Sequence, residues 1–308
     1  MQIVHGYDFV PANAKGSALA IGNFDGVHRG HQVLLTHARQ EGRRLGCPAG
    51  VMVFEPHPRE FFKPEEPHFT LTPLPQKLRQ LDAEGMKVAI VLPFDAGLAN
   101  LTAEDFIEGV LVRGLGVRHV VIGYDFFFGK ARGGNPETMR RAGEKHGFGV
   151  SVIEPQAEDG EVFSSSAIRL KLAQGDVRGA AQDLGRAWRV AGRVVGGARR
   201  GTGLGYPTAN LPMPKGTALG HGIYAVRAHF EGEAHDAAAY LGTRPTFDDG
   251  MPVLEVFLID FDGDLYGKQI EVEFLEFVRG DRKFDSGEDL KAQMERDVAH
   301  VRAVLKDA

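Results

Sequence analysis

The stretch Gly22-Asn23-Phe24-Asp25-Gly26-Val27-His28-Arg29-Gly30-His31 packs three glycines, one carboxylate and two imidazoles into ten residues. An apolar run ending at Ile21 enters this turn, and a helix beginning near Gly30 directs its free N–H groups back toward it. Such a helix start attracts anions through those donors and its dipole. His28 and His31, three residues apart at the first turn, can face the same way. They can then donate hydrogen bonds to a polyphosphate and stabilise charge as a phosphorus centre expands, which is the chemistry of nucleotidyl transfer. A tight turn with two surface histidines is the plainer alternative. A zinc pair is disfavoured, because no Glu or third His completes a zincin pattern. Strand, glycines and helix together favour the phosphate site.

A second glycine-rich segment, Gly201-Thr202-Gly203-Leu204-Gly205-Tyr206-Pro207-Thr208-Ala209-Asn210, sets turn-forming residues before two small oxygen-bearing side chains. Glycines let backbone N–H groups approach phosphate as a concave nest. Thr208 and Asn210 offer hard oxygen ligands suited to Mg²⁺ on a nucleotide. Without further context the segment also reads as a flexible loop. Glu255 is a lone carboxylate in the apolar run Leu254-Glu255-Val256-Phe257. It can take the proton of a sugar-like hydroxyl, although strand alternation equally permits an outward-facing residue. Gly123 to Lys130 only resembles a P-loop: five residues separate its glycines, and Ala131 stands where Mg²⁺ binding needs Ser or Thr.

These residues need elements to hold them. Ser17–Ile21, Val51–Phe54, Val88–Leu92, His119–Ile122 and Val150–Ile153 read as strands, with helices near 31–45, 75–84, 102–113 and 136–146 between them. Apolar strands alternating with helices predict an α/β doubly wound, Rossmann-like sheet with ligands at the carboxyl ends of its strands. Thr102-Ala103-Glu104-Asp105 opens one helix as a capping box. Helical patches at 165–174 and 176–185 lead to a different pattern after about residue 186. There Trp188–Val195, Gly222–His229, Ala237–Leu241, Leu254–Asp260 and Gln269–Phe277 are strands bounded by Gly and Pro turns, which predicts a small antiparallel β-barrel or sandwich. A last helix from Ser286 to Leu305 carries Leu290, Met294, Val298, Val301 and Leu305 on one face. The domains are expected at 1–185 and 186–308.

The chain has 308 residues, 43% hydrophobic and 25% charged, with a net charge of -5, so two ordinary globular domains are expected. Lys and Arg form no basic stripe, which argues against a nucleic-acid partner. No signal peptide or long apolar run is evident, so no membrane and a cytoplasmic location are expected. Cys47 alone excludes an internal disulfide, and no acid–base partner for it is evident.

The first segment resembles the G-x-F-D-G-x-H-x-G-H signature of nucleotidyltransferases, and the chain is similar to the bacterial bifunctional riboflavin kinase/FAD synthetase family. Phe54-Glu55-Pro56-His57-Pro58, Gly123-Tyr124-Asp125-Phe126-Phe127-Phe128-Gly129 and Ser164-Ser165-Ser166-Ala167-Ile168-Arg169 resemble its F-x-P-H-P, G-x-D-F-x-F-G and S-S-T-x-I-R motifs. Leu204 to Asn210 resembles L-G-F-P-T-A-N, with Tyr206 for Phe. Gly222-Ile223-Tyr224, Gly242 to Phe247, Leu265-Tyr266-Gly267 and Lys283-Phe284-Asp285-Ser286 continue the match. The departures are Ser166 for Thr, Ala167 at an often basic position, and Thr202 where Arg is frequent, with Arg199 and Arg200 nearby.

The resemblance implies an FMN adenylyltransferase followed by a riboflavin kinase, with ATP, riboflavin, FMN and FAD as substrates and products, Mg²⁺ as cofactor, and a monomer or weak homo-oligomer. It implies catalytic roles for His28, His31, Arg169 and Glu255, the last as base. Phosphate or ATP contacts fall to Gly22, Phe24, Asp25, Gly26, Gly30, Ser164, Ser165, Ser166, Gly201, Gly203, Gly205 and Pro207. Flavin contacts fall to Pro56, His57, Pro58, Asp125, Phe128, Gly129 and Tyr266, and Mg²⁺ to Thr208 and Asn210. Independently, Ser164 to Ser166 suit a helix start, and Arg169 suits phosphate as a planar fork. The three rings Phe126–Phe128 are either core or part of a loop lining a flavin or adenine.

Overall fold

Apolar residues run without alternation through four of the N-terminal strands, and both faces of their sheet are covered. The structure is a computed structural model that describes residues 1–158, 160–196, 206–214, 216–243 and 252–306. The chain divides into two units: Met1–Pro67 with Leu71–Ser164, and His68–Thr70 with Ser165–Ala308.

In the first unit, β1 (Gln2–His5), β2 (Ala18–Ile21), β3 (Ala49–Glu55), β4 (Val88–Pro93), β5 (His119–Gly123) and β6 (Gly149–Ile153) form one parallel sheet in the order β1-β4-β3-β2-β5-β6. Two short strands that follow it in sequence, β7 (Ala157–Glu158) and β8 (Glu161–Val162), pair antiparallel as a separate ribbon. Alternate residues enter two cores: Leu19, Ile21, Met52, Phe54, Ile90 and Ile122 one, and Ala20, Val51, Val53, Val91 and Val121 the other. Helices α1 (Arg29–Leu45), α2 (Pro58–Phe62), α3 (Leu74–Ala83), α4 (Ala96–Asn100), α5 (Ala103–Asp105, continuing as a π-helix over Phe106–Gly114) and α6 (Pro136–His146) connect the strands. Capping sets their ends. The side chain of Asn135 accepts from Thr138 N before Pro136, and α6 stops at left-handed Gly147. The five expected strands are present. β1 is added; it is a four-residue edge strand with polar ends and a single buried residue, Val4, so it lacks an apolar run.

Strand order reverses between β2 and β5: β3 and β4 lie to one side, β6 to the other. Adjacent strand ends whose chains leave in opposite directions open a crevice, and ligands of doubly wound sheets bind there. The turn after β2 and the loop after β5 border this crevice, and both carry motifs singled out above.

In the second unit, α7 (Ser165–Ala173) and α8 (Val177–Leu184) precede β9 (Trp188–Arg193), β10 (Ala209–Pro212), β11 (Gly222–Phe230), β12 (Glu233–Thr243), β13 (Pro252–Leu258) and β14 (Gln269–Arg279). The strands form an antiparallel sheet, β10-β13-β12-β11-β14-β9, curled into a half-barrel. Its two edges meet where Val195 N donates to Asn210 O at 2.9 Å. Helix α9 (Gly287–Lys306) packs Val298, Val301 and Leu305 against Ala225, Ala238, Phe257 and Ile259. Arg279 pins the helix to β14 through a partly buried ion pair with Asp297, its Nη2 donating at 2.7 Å. β10 falls in a stretch that reads as loop from sequence; it is four residues long and ends in Pro.

Candidate active sites

His28 is the N-cap of α1, and its Nδ1 accepts from His31 N at 3.3 Å. That contact assigns the lone pair to Nδ1, so neutral His28 carries its proton on Nε2. The residue is 6% exposed, and its ring stacks on His31 with centroids 3.6 Å apart. His31 in turn leans on Phe24, 5.0 Å away in the core. Sequence placed both imidazoles at the first turn. The structure adds that His28 also caps the helix that the two residues open.

The turn is tightly built. Phe24 and Val27 adopt φ of 49° and 43°, and Gly26 takes 85°, a region costly for residues with a Cβ. A Cβ on Gly30 would sit 3.1 Å from the His28 ring, so this glycine makes room for the imidazole. Asp25 is 1% exposed, and its carboxylate accepts from Leu71 N at 3.1 Å and Thr72 N at 3.0 Å. The carboxylate therefore ties the turn to the segment entering α3.

Lys77 on α3 lies outside every motif quoted from the sequence. It is 2% exposed; burial pushes its pKa down, while Asp25, Glu55 and Glu60 oppose the shift. Burial likewise pushes Glu55 up, against Lys77, with Glu60 and Asp25 adding to the rise. The sequence shows only that Lys77 interrupts the apolar spacing of Leu74, Leu78 and Leu81, on the face of α3 that packs inward; the carboxylates around it come from other segments.

After β3, His57 caps α2, its Nδ1 accepting from Arg59 N at 3.1 Å, with Pro58 at the first helical position and a cis peptide at Glu55–Pro56. After β5, Asp125 is exposed and Gly129 has a φ of 71°. Phe128 is 7% exposed and packs between Phe106 and Phe126, whereas Phe127 is 46% exposed beneath the Arg132 guanidinium. Of these three rings, Phe127 is the one at the surface.

In the second unit, Ser165 and Ser166 open α7, and Ser164 directly precedes it. Arg169, one turn on, donates from Nε to Phe69 O at 2.6 Å. On the half-barrel, Asn210 of β10 is paired with Glu255 of β13, which is paired in turn with Tyr240 of β12. Directly opposed residues share a sheet face. Leu254, Val256 and Leu258 point into the core, which puts Glu255 on the other face, half-buried rather than fully exposed. Asn210 is 5% exposed, and its Nδ2 donates to Thr208 O at 3.2 Å. That orientation directs its oxygen elsewhere. Tyr206 packs edge-on against Phe257, 5.1 Å away. Tyr266 is 48% exposed, its N–H taken by the Asp264 carboxylate. Pro207 is exposed. Gly201, Gly203 and Gly205, with Arg199, Arg200 and Thr202, lie outside the described residues.

The chain thus joins two parts: a doubly wound sheet whose first turn sets two imidazoles at a helix start, and a half-barrel with a carboxylate paired across strands with an amide. Residues 10–167 match the FAD synthetase family model, and residues 184–305 match that for riboflavin kinase. The chain is 39% identical to the bifunctional riboflavin kinase/FMN adenylyltransferase of Pseudomonas fluorescens, over 99% of this chain and 98% of that protein. It is 34% identical to the protein of the same description from Bacillus subtilis, over 96% and 95%. A crystal structure titled macrolide-efflux protein, from Streptococcus pneumoniae, superposes with a TM-score of 0.86 at 28% identity, covering 98% of this chain and 99% of that one. Among the described residues no helix is long and apolar enough to cross a membrane. The chain belongs to the bacterial bifunctional riboflavin kinase/FMN adenylyltransferase family, and it is an ATP-dependent enzyme of flavin biosynthesis.

Proposed function

We propose that residues 186–308 transfer the γ-phosphoryl group of ATP to the riboflavin 5′-hydroxyl, giving FMN and ADP, and that residues 1–185 join FMN to a second ATP, giving FAD and pyrophosphate. In the first step Glu255 takes the hydroxyl proton as the oxygen attacks the γ-phosphorus. Positioning and charge neutralisation carry most of such a reaction. The observation that carries this reading is the register that sets Glu255 opposite Asn210.

The donors there suit Mg²⁺. Asn210 and Thr208 provide hard oxygens, and Mg²⁺ characteristically combines one or two protein oxygens with phosphate oxygens and water. When bound, the ion would neutralise negative charge on the phosphates. Tyr266 and the glycine loop, with Pro207, are assigned to flavin and ATP respectively.

In the second step an FMN phosphate oxygen attacks the α-phosphorus and pyrophosphate departs. The Nε2–H of His28, His31 and the α1 N–H groups stabilise the developing charge. Arg169, with Ser164 to Ser166, supplies further phosphate contacts. Pro56, His57 and Pro58, and the loop Asp125–Gly129, are assigned to the flavin.

Incubating the chain with riboflavin, ATP and Mg²⁺ and separating the products by chromatography tests this reading. FMN and FAD are both expected. Finding neither would sink it, and FMN without FAD would remove the adenylyltransferase half.

A further inference from the structure

Arg169 does not hang from α7 as a loose side chain. Its Nε donates to the carbonyl oxygen of Phe69 at 2.6 Å, and its Nη2 lies 3.3 Å from Nε2 of His68. A guanidinium only donates, so His68 Nε2 must present its lone pair. Neutral His68 then carries its proton on Nδ1. Two acceptors on different nitrogens of one planar fork fix both its position and its plane.

The acceptors are themselves fixed. Phe69 is 6% exposed, and its ring meets Trp188 of β9 edge-on at 5.7 Å. Trp188 is 3% exposed and lies 5.0 Å from Phe274 of β14, which is fully buried. The Phe69 carbonyl is thus mounted on the aromatic core of the half-barrel. Residues 68–70 cluster with the second unit, as does α7, although the chain on either side of them belongs to the first.

We infer that His68, together with the Phe69 carbonyl, is a positioning residue that presets the Arg169 fork for adenylyl transfer. This rests on the assignment of Arg169 to phosphate above. No sequence motif marked His68, since its role is visible only through a partner about a hundred residues away.

The test uses the full chain with His68→Ala, His68→Gln, Arg169→Ala and the double variant His68→Ala/Arg169→Ala. FAD formation from supplied FMN and ATP is measured beside riboflavin phosphorylation in the same preparation. His68→Ala is expected to lower kcat for FAD formation about tenfold, with KM for FMN and riboflavin phosphorylation unchanged. His68→Gln, whose carbonyl can accept from the guanidinium, is expected to restore most of it. In the Arg169→Ala background, His68→Ala should have no further effect, because the two act as one unit. A wild-type rate in His68→Ala beside an impaired Arg169→Ala overturns the inference, as does a further loss in the double variant or an equal loss of riboflavin phosphorylation. An unimpaired Arg169→Ala instead removes the assignment of Arg169 on which the inference stands. If His68→Ala does not fold, His68→Asn, too short to reach, gives the same contrast with His68→Gln.

Discussion

Asn210 and Glu255 stand directly opposite each other across β10 and β13, although 44 residues separate them in the chain. The pairing puts an amide oxygen and a carboxylate on one face of the half-barrel, at the strand whose partner edge closes through Val195. Glu255→Gln keeps the shape and removes the base. It is expected to lower riboflavin phosphorylation by about 10²- to 10⁴-fold and to leave FAD formation from supplied FMN unchanged. Asn210→Ala should raise the Mg²⁺ concentration needed for half-maximal phosphorylation, which a titration of initial rates measures.

His28 has two jobs that substitution can separate. His28→Ala loses both the cap and the ring donor, so it should cost about 1 kcal/mol of stability and most of the FAD-forming activity. His28→Asn can still cap α1 but lacks Nε2–H. Its thermal midpoint should stay near wild type while FAD formation remains low; a recovered rate would show that the cap, not the donor, is what matters.

Gly30→Ala tests the close approach of the His28 ring. The added Cβ would meet Cε1 and Nδ1 at 3.1 Å and displace the imidazole rather than the backbone. The expected result is slower FAD formation, riboflavin phosphorylation at the wild-type rate, and little change in unfolding midpoint.

Asp25→Asn removes a buried carboxylate that accepts two backbone N–H groups and acts electrostatically on buried Lys77. Breaking such an arrangement costs about 3 kcal/mol. Denaturant unfolding should show the loss. FAD formation should fall as well, because the turn bearing His28 loses its tie to residues 71–72.

His119, at the start of β5, gives the fold an acid-sensitive point. Its Nε2 lies 2.9 Å from Ser151 Oγ, and Gly149 leaves room for the ring. Burial lowers its pKa below the ordinary 6.5, with Glu41 opposing and Arg44 and His37 adding to the fall. Between the folded and unfolded values, the unfolded chain holds a proton that the folded chain does not. The stability contribution is therefore complete above pH 6.5 and is lost as pH falls through the folded value. Thermal midpoints from pH 8 down to 5 should drop more steeply for the wild type than for His119→Asn.

The sequence carried the α/β pattern, the antiparallel half and every α-helix but the five-residue α2 and α4, because apolar periodicity, caps and glycine stops are local signals and five residues are too few to show a period. Ser165–Ala173 and Pro136–His146 were legible within a residue or two for that reason. β1 and β10 were not, because a four-residue edge strand is stabilised by its neighbour rather than by its own pattern.

The chemistry divides in the same way. His28 and His31 were legible together because one helical turn fixes their spacing, and the sequence alone determined that pair. That Phe128 is core while Phe127 is exposed, that Asp25 holds the backbone of residues 71–72, that Lys77 is buried beside carboxylates, and that Glu255 faces Asn210 were decided by the tertiary structure. Each depends on strand register or on contacts between segments distant in the chain, which local composition does not encode.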